Sequence, residues 1–255
     1  MSGKRKILGI DLGGALQATT GYALLKGVRK PKLVEAGVIP KAKTAAIAED
    51  RLRELIGERA PSLIAVDAPL TLPPCLTCPS SCEGPGRERC ELHAARLMWE
   101  AGGNPVAERL CEVRLRAEIG GGRPLPTMRI GQIAGRGVAL ARRLRAERAE
   151  RGTVAGPELI EVYPAGTLRR LGFGAPPSDK AGKKAQQDFR DRTCDDLSSK
   201  LTGLEVESTC RTNAHAFDAL IAAYTAWLGP DGLEQPGEDY NAATGWIWLP
   251  AAVSG

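Results

Sequence analysis

Aromatic residues are scarce: Phe, Trp and Tyr make up 4% of the 255 residues. So thin a supply argues against a platform on which successive bases of a single strand stack. Histidine is scarcer still, with only His93 and His215 in the chain. A Cys–His hydrolase needs a base beside its thiolate. His93 lies in a cysteine cluster and His215 among acids, which argues against that class. No run of 18 uncharged apolar residues exists, so no segment reads as membrane-spanning. The basic start MSGKRK leads at once into ILGIDLGG, too short and too soon acidic for an export signal. These absences predict a soluble, cytoplasmic chain with no membrane partner. Internal repeats and long low-complexity segments are absent as well.

What is present suffices for a substantial core, since 43% of residues are hydrophobic. The reading is a single domain over residues 1–255, with a Cys/Pro/Gly-rich insertion over 73–122 and a C-terminal tail over 229–255. The formal charge is +5, and the stretch Arg129 to Arg151 alone holds seven arginines against two glutamates. A basic stripe on a helix can track phosphates, although a solvated helix face explains a charge run equally well.

Three apolar segments, Lys6 to Leu12, Thr19 to Leu25 and Lys32 to Ile39, are separated by short connectors that suit antiparallel strands. A helix follows in TAAIAEDRLRELIGERAP, with Ile47, Leu52, Leu55 and Ile56 at near-helical spacing and Thr44 as a cap. SLIAVDAPLTLPP then reads as a buried strand ending in Asp67, and GPELIEVYPAG as another carrying Glu161. A polar, Lys-rich connector from Ser178 to Lys184 leads into a helix over Lys184 to Leu201. The last strong element is RTNAHAFDALIAAYTAWLGP, where Thr212 or Asn213 can cap and Gly229 can end the helix. In GWIWLP, Trp246 and Trp248 fall on one side of a short strand.

Four acids stand out by position. Asp11, Asp67 and Glu161 end apolar strands, and Asp218 lies within the final apolar helix. Each alone has an ordinary explanation: Asp11 can serve the turn at Gly13 and Gly14, and Asp67 can close a strand before Pro69. Strands disfavour Asp, however, and a buried charge costs several kcal/mol unless paired or bound to a metal. Four such placements together suggest a shared cation. Hard divalent ions accept carboxylate oxygens, and two ions roughly 4 Å apart activate water for phosphodiester cleavage. His215 and Asp218, at i and i+3, share a helix face, so His215 can ligate metal, orient water or act as a base.

The stretches GIDLGG, IAVDAPLTLP, EVYPAG and HAFDALIAAYTAWL, in this order, resemble the domain-of-unknown-function 429 family. Its members are described as predicted nucleases of the ribonuclease H-like fold, and the resemblance covers nearly the whole chain. It implies an α/β fold: a ribonuclease H-like mixed sheet, three antiparallel strands and then parallel ones, flanked by helices. It implies that Asp11, Asp67 and Asp218 bind Mg2+ or Mn2+, with Glu161 as a fourth member, and that nucleic acid is the substrate. HAFD is similar to the last-helix motif of RuvC-type nucleases. The family pattern also implies basic residues beside the site, for which Arg96, Arg114, Arg129, Lys180 and Lys183 are candidates to hold phosphate. Lys183 is preferred, because its connector could swing over the end of the sheet.

Four cysteines lie in CLTCPSSCEGPGRERC, namely Cys75, Cys78, Cys82 and Cys90, with His93 three positions beyond the last. Without an export signal, clustered thiols are read as metal ligands rather than disulfides. Structural Zn2+ held by the four thiolates, or by three and His93, is the first choice, and a 4Fe-4S cluster also suits the spacing. Cys111, Cys194 and Cys210 stand apart and read as small buried hydrophobes.

Two other functions compete with a metal-dependent nuclease. One is a non-catalytic nucleic-acid-binding module of the same fold, with structural acids and a structural metal cluster. The other is a phosphate-binding protein related to actin-like ATPases, since GIDLGG resembles their first phosphate loop. That architecture needs a second half and a second phosphate loop, and neither is evident here.

Overall fold

In the computed structural model the chain begins as an antiparallel meander. The structure describes residues 5–14, 19–78, 90, 92–119, 125–150, 158–205, 207–241 and 244–252. Strand β1 (Arg5–Asp11) pairs with β2 (Thr20–Gly27), and β2 with β3 (Pro31–Ile39). Beyond helix α1 (Ala45–Arg59) the chain returns through β4 (Leu63–Asp67), which lies parallel to β1 on its other side. β5 (Glu158–Val162) and the short β6 (Ile247–Trp248) extend the sheet in parallel. The order is β3-β2-β1-β4-β5-β6. An α/β fold with a mixed sheet, antiparallel and then parallel, is therefore present as expected.

The remaining helices are α2 (Pro74–Thr77), α3 (His93–Glu100), α4 (Leu110–Ile119), α5 (Gly131–Glu150) and α6 (Pro164–Arg170). They continue as α7 (Gly182–Ser198), α8 (Thr209–Thr212), α9 (Ala214–Trp227) and α10 (Gly229–Gly232). Local signals set several ends. Thr44 accepts a hydrogen bond from the Ile47 N–H and caps α1, and Asn213 accepts one from the Ala216 N–H and caps α9. Gly229 takes a φ of +71° just beyond α9, a conformation that glycine adopts without steric cost. α6 was not anticipated: Pro164 at its first turn allows a helix to start directly from β5.

Alternation of side chains along the strands divides the core into two layers. Ile7 of β1, Ala65 of β4 and Val162 of β5 face α6, α7, α8 and α9, against Leu168, Phe189, Leu197, Cys210 and Leu220. Leu8, Ile10, Ile64 and Val66 face the opposite way, against Leu52 and Ile56 of α1 and Leu140 and Leu144 of α5. Burying both faces of the parallel strands explains their continuous apolar composition.

The described helices of the segment 73–122 pack on the rest of the chain. Helix α4 packs Cys111 and Leu115 against Ile247 and Leu249, and Met98 of α3 joins Leu110 and Val113 in a small cluster bordered by Tyr240. These helices thus share their core with the C-terminal tail. Cys111, Cys194 and Cys210 are fully buried, as predicted.

Candidate active site

Parity and register bring the first two acids together. Asp11 and Asp67 are partners in the parallel β1–β4 ladder, each the last residue of its strand. Asp11 shares the face of Ile7 and Gly9, and Asp67 that of Ala65, so both carboxylates are on the side covered by α9. Carboxyl ends of adjacent parallel strands are the usual place for a ligand in an open α/β sheet.

Two glycines allow α9 to reach this position. A Cβ on Gly9 would come within 2.0 Å of the Ala219 carbonyl oxygen, and one on Gly21 within 2.0 Å of that of His215. Only residues without a side chain permit the helix to lie so close on β1 and β2. The first turn of α9 therefore sits over the end of β1. His215 Nδ1 and Asp11 Oδ2 form a 2.6 Å hydrogen bond in which the ring N–H donates, with Asp11 15% exposed and His215 38%.

The electrostatics record the convergence of the acids. Burial pushes the Asp218 carboxyl up to about 8, and the negative charge of Asp11 adds to the rise, while His215 and Arg190 oppose it. Asp67 is also raised, by burial first and then by Asp11, Asp218 and Glu161. The imidazole of His215 is raised chiefly by its hydrogen bond to Asp11. The charges of Asp11, Asp67 and Asp218 thus oppose one another, and Asp11 and Asp67 line a cleft of about 220 Å³ together with Arg109, Tyr163 and Glu161.

Glu161 does not join this set, although it borders the cleft. Its register partner on β4 is Val66, so it lies on the opposite face of the sheet from Asp67. There the guanidinium of Arg109, 1% exposed, donates to both of its oxygens at 2.6 and 2.7 Å, and the Leu70 N–H donates to Oε2 at 2.9 Å. Arg109 also donates to Glu112 at 2.8 Å and to Thr127 at 2.9 Å. Glu161 is therefore the partner of a buried arginine rather than a ligand facing the other acids. Sequence reasoning missed Arg109. The spacing of Arg109 and Glu112 was legible as a helical pair, but the link to Glu161, 52 residues away, was not.

The basic candidates are dispersed. Arg114 donates to Glu234 at 2.6 Å and stacks 4.0 Å from the Trp246 ring centre, which commits it elsewhere. Arg96, Arg129, Lys180 and Lys183 are exposed. In the Arg-rich helix, Arg136 is held by Glu49, the Gly13 carbonyl and Thr20, while Arg142 and Arg145 are exposed. The cation that does feel Asp218 is Arg190 of α7, which was not anticipated.

Of the cysteine cluster, Cys75, Cys78 and Cys90 are partly buried and Cys82 lies outside the described residues. His93 is 66% exposed, with Nε2 3.5 Å from Asp239. Among the described residues no three or more His, Cys, Asp or Glu donors form a group that closes on one metal position. The donor chemistry of Asp11, Asp67 and Asp218 nonetheless suits a hard cation, because each supplies carboxylate oxygens and burial with neighbouring acids raises Asp67 and Asp218. Asp11 is meanwhile hydrogen-bonded to His215.

The class defined by these features is an α/β protein whose mixed sheet presents an acidic cluster at the carboxyl ends of β1 and β4. The family model for "Protein of unknown function (DUF429)" matches residues 9–239, and the chain belongs to that family. No curated protein and no solved structure matches it. No helix among the described residues is long and apolar enough to cross a membrane.

Proposed function

We propose that the chain is a divalent-cation-dependent nuclease of ribonuclease H-like fold, hydrolysing phosphodiester bonds in nucleic acid. The observation that carries the reading is the register pairing of Asp11 with Asp67 on the face covered by α9, with Asp218 raised to about 8 beside them. The strand order and the three acidic positions, on the first strand, the fourth strand and the final long helix, match what the resemblance implies for a ribonuclease H-like nuclease.

Asp11, Asp67 and Asp218 would hold Mg2+ or Mn2+, which when bound activates water and neutralises the leaving oxygen. Around that set the chain's own residues have distinct tasks. His215 donates from Nδ1 to Asp11 and so fixes the carboxylate's orientation. Nε2 of the neutral ring is then free of a proton and can take one from an attacking water. Arg190 supplies positive charge on the Asp218 side. The exposed Arg142 and Arg145 of α5 offer phosphate contacts outside the cleft.

The test is cleavage of end-labelled DNA and RNA oligonucleotides, single-stranded and duplex, with Mg2+ or Mn2+. Cleavage that disappears on chelation and in Asp11→Asn supports the reading. A well-folded wild-type protein that cleaves none of them with either ion overturns it.

A further inference from the structure

A second cleft lies beside the acidic one, and three aromatic side chains are in its lining. Tyr240, Trp246, Trp248 and Arg145 are among the residues around a volume of about 200 Å³. The turn after β4 separates the two clefts: Ala68 and Pro69 line the acidic one, and Leu70 and Thr71 the aromatic one. Glu161 borders both.

Three of the chain's few aromatic side chains are therefore gathered one turn away from the acids. Trp246 and Trp248 stand nearly perpendicular, with ring centres 6.4 Å apart, and Tyr240 meets Trp246 edge to face at 4.6 Å. This cluster is braced from one side, where the Arg114 guanidinium covers Trp246. Trp248 lines the cleft while also packing against the core beneath α9 and is partly buried, and Arg145 in the same lining is exposed. Rigid aromatic walls at right angles, with a cation at the rim, suit a flat ring that carries a phosphate. A purely structural aromatic knot has no need of an open cleft or of an unburied arginine.

We propose that this cleft is a nucleobase subsite, taking one unpaired base of a strand whose backbone runs toward Asp11 and Asp67. The inference rests on the nuclease reading and narrows its substrate to nucleic acid with an unpaired nucleotide near the scissile bond. Stacking is indifferent to base identity, so the subsite selects strandedness rather than sequence. It also revises the expectation drawn from aromatic scarcity: the supply excludes an extended platform but serves a single base.

The test is binding without cleavage, in EDTA, by fluorescence anisotropy of a labelled 12-nucleotide single strand. The comparison ligands are its duplex, the same strand made abasic, and AMP. Binding of the single strand should exceed that of the duplex and of the abasic strand, each by roughly five- to hundred-fold. Trp248→Ala and, as a surface change that spares the core, Arg145→Glu should each weaken it. Equal binding of the abasic and normal strands, or unchanged binding in both variants, overturns the subsite. AMP binding that matches the single strand would mean that the cleft takes free nucleotides, and would also overturn the proposal. Because binding is read in EDTA, loss of the nuclease reading alone leaves these outcomes interpretable. A nuclease that cleaves but fails them loses only the subsite.

Discussion

Asp11 and Asp67 are neighbours across a parallel ladder, each the last residue of its strand and both on the face where α9 lies. Among the described residues neither is paired with an arginine, whereas Glu161 is held by Arg109. Replacing Asp11 or Asp67 by Asn removes an anionic oxygen donor while keeping shape. Cleavage should fall by on the order of a hundredfold or more in each variant, with nucleic-acid affinity in EDTA little changed. A rate within a factor of two of wild type in Asp11→Asn would remove that residue from the mechanism.

The same repulsion gives a pH signature in metal-free protein. Asp218 is raised to about 8 by burial and Asp11, with Asp67 on β4, His215 on its own helix and Arg190 of α7 also interacting with it. The folded state keeps this proton where the unfolded chain has already lost it. Stability from this group is therefore complete below pH 4 and is lost as pH rises through about 8. The raised imidazole of His215 acts in the same direction. Thermal unfolding should show a lower Tm at pH 9 than at pH 6, Asp218→Asn should flatten the difference, and Mg2+ should restore Tm at the higher pH. A Tm that rises from pH 6 to 9 without metal would contradict that repulsion.

Much of this arrangement was legible in the chain. Asp11, Asp67 and Asp218 could be singled out because charge at the end of an apolar strand, or inside an apolar helix, conflicts with local preference. Thr44 and Asn213 announced their helices by capping chemistry. Glu161 carried the same signal for a different reason, because a buried arginine satisfies a strand-end acid as well as a cation does. Telling the two apart required the register of β5, a non-local quantity that depends on which residue pairs with Val66. α6 escaped notice because Tyr163 and Pro164 read as the end of a strand, when they also begin a helix.

Arg109 carries a prediction of its own. It is shared by Glu161 and Glu112 in the interior, and its removal would leave two carboxylates without their cation. Arg109→Met should cost about 3–5 kcal/mol in urea unfolding. Glu161→Gln, which keeps a hydrogen-bonding side chain, should cost less. The Arg109→Met/Glu161→Gln double variant should cost less than the sum of the two singles. Additive effects would mean that the pair is not coupled as its geometry requires.

The cysteine cluster is testable without reference to activity. Four thiolates from Cys75, Cys78, Cys82 and Cys90 holding one zinc would give about one zinc and no iron per chain by elemental analysis. A brown protein absorbing near 400 nm would instead indicate iron and sulfur. Chelation should lower Tm, because the metal would cross-link a segment with few apolar anchors. Neither metal, with all four thiols titrating freely in the native protein, would end that assignment.

The close approach of α9 to the sheet makes the glycines beneath it a test of how the site is built. A methyl on Gly21 would meet the His215 carbonyl carbon at 2.2 Å and its oxygen at 2.0 Å, and backbone cannot move aside as a side-chain tip can. Gly21→Ala must therefore lift the first turn of α9, carrying His215 away from Asp11. Cleavage should fall roughly tenfold or more even where the protein stays folded, because small misplacements at a reacting centre are costly. Gly57→Ala on α1, where nothing lies within 4 Å, is the matched control and should leave the rate close to wild type with Tm unchanged or slightly raised. Equal behaviour of the two variants would mean that α9 does not lie on β2 as described.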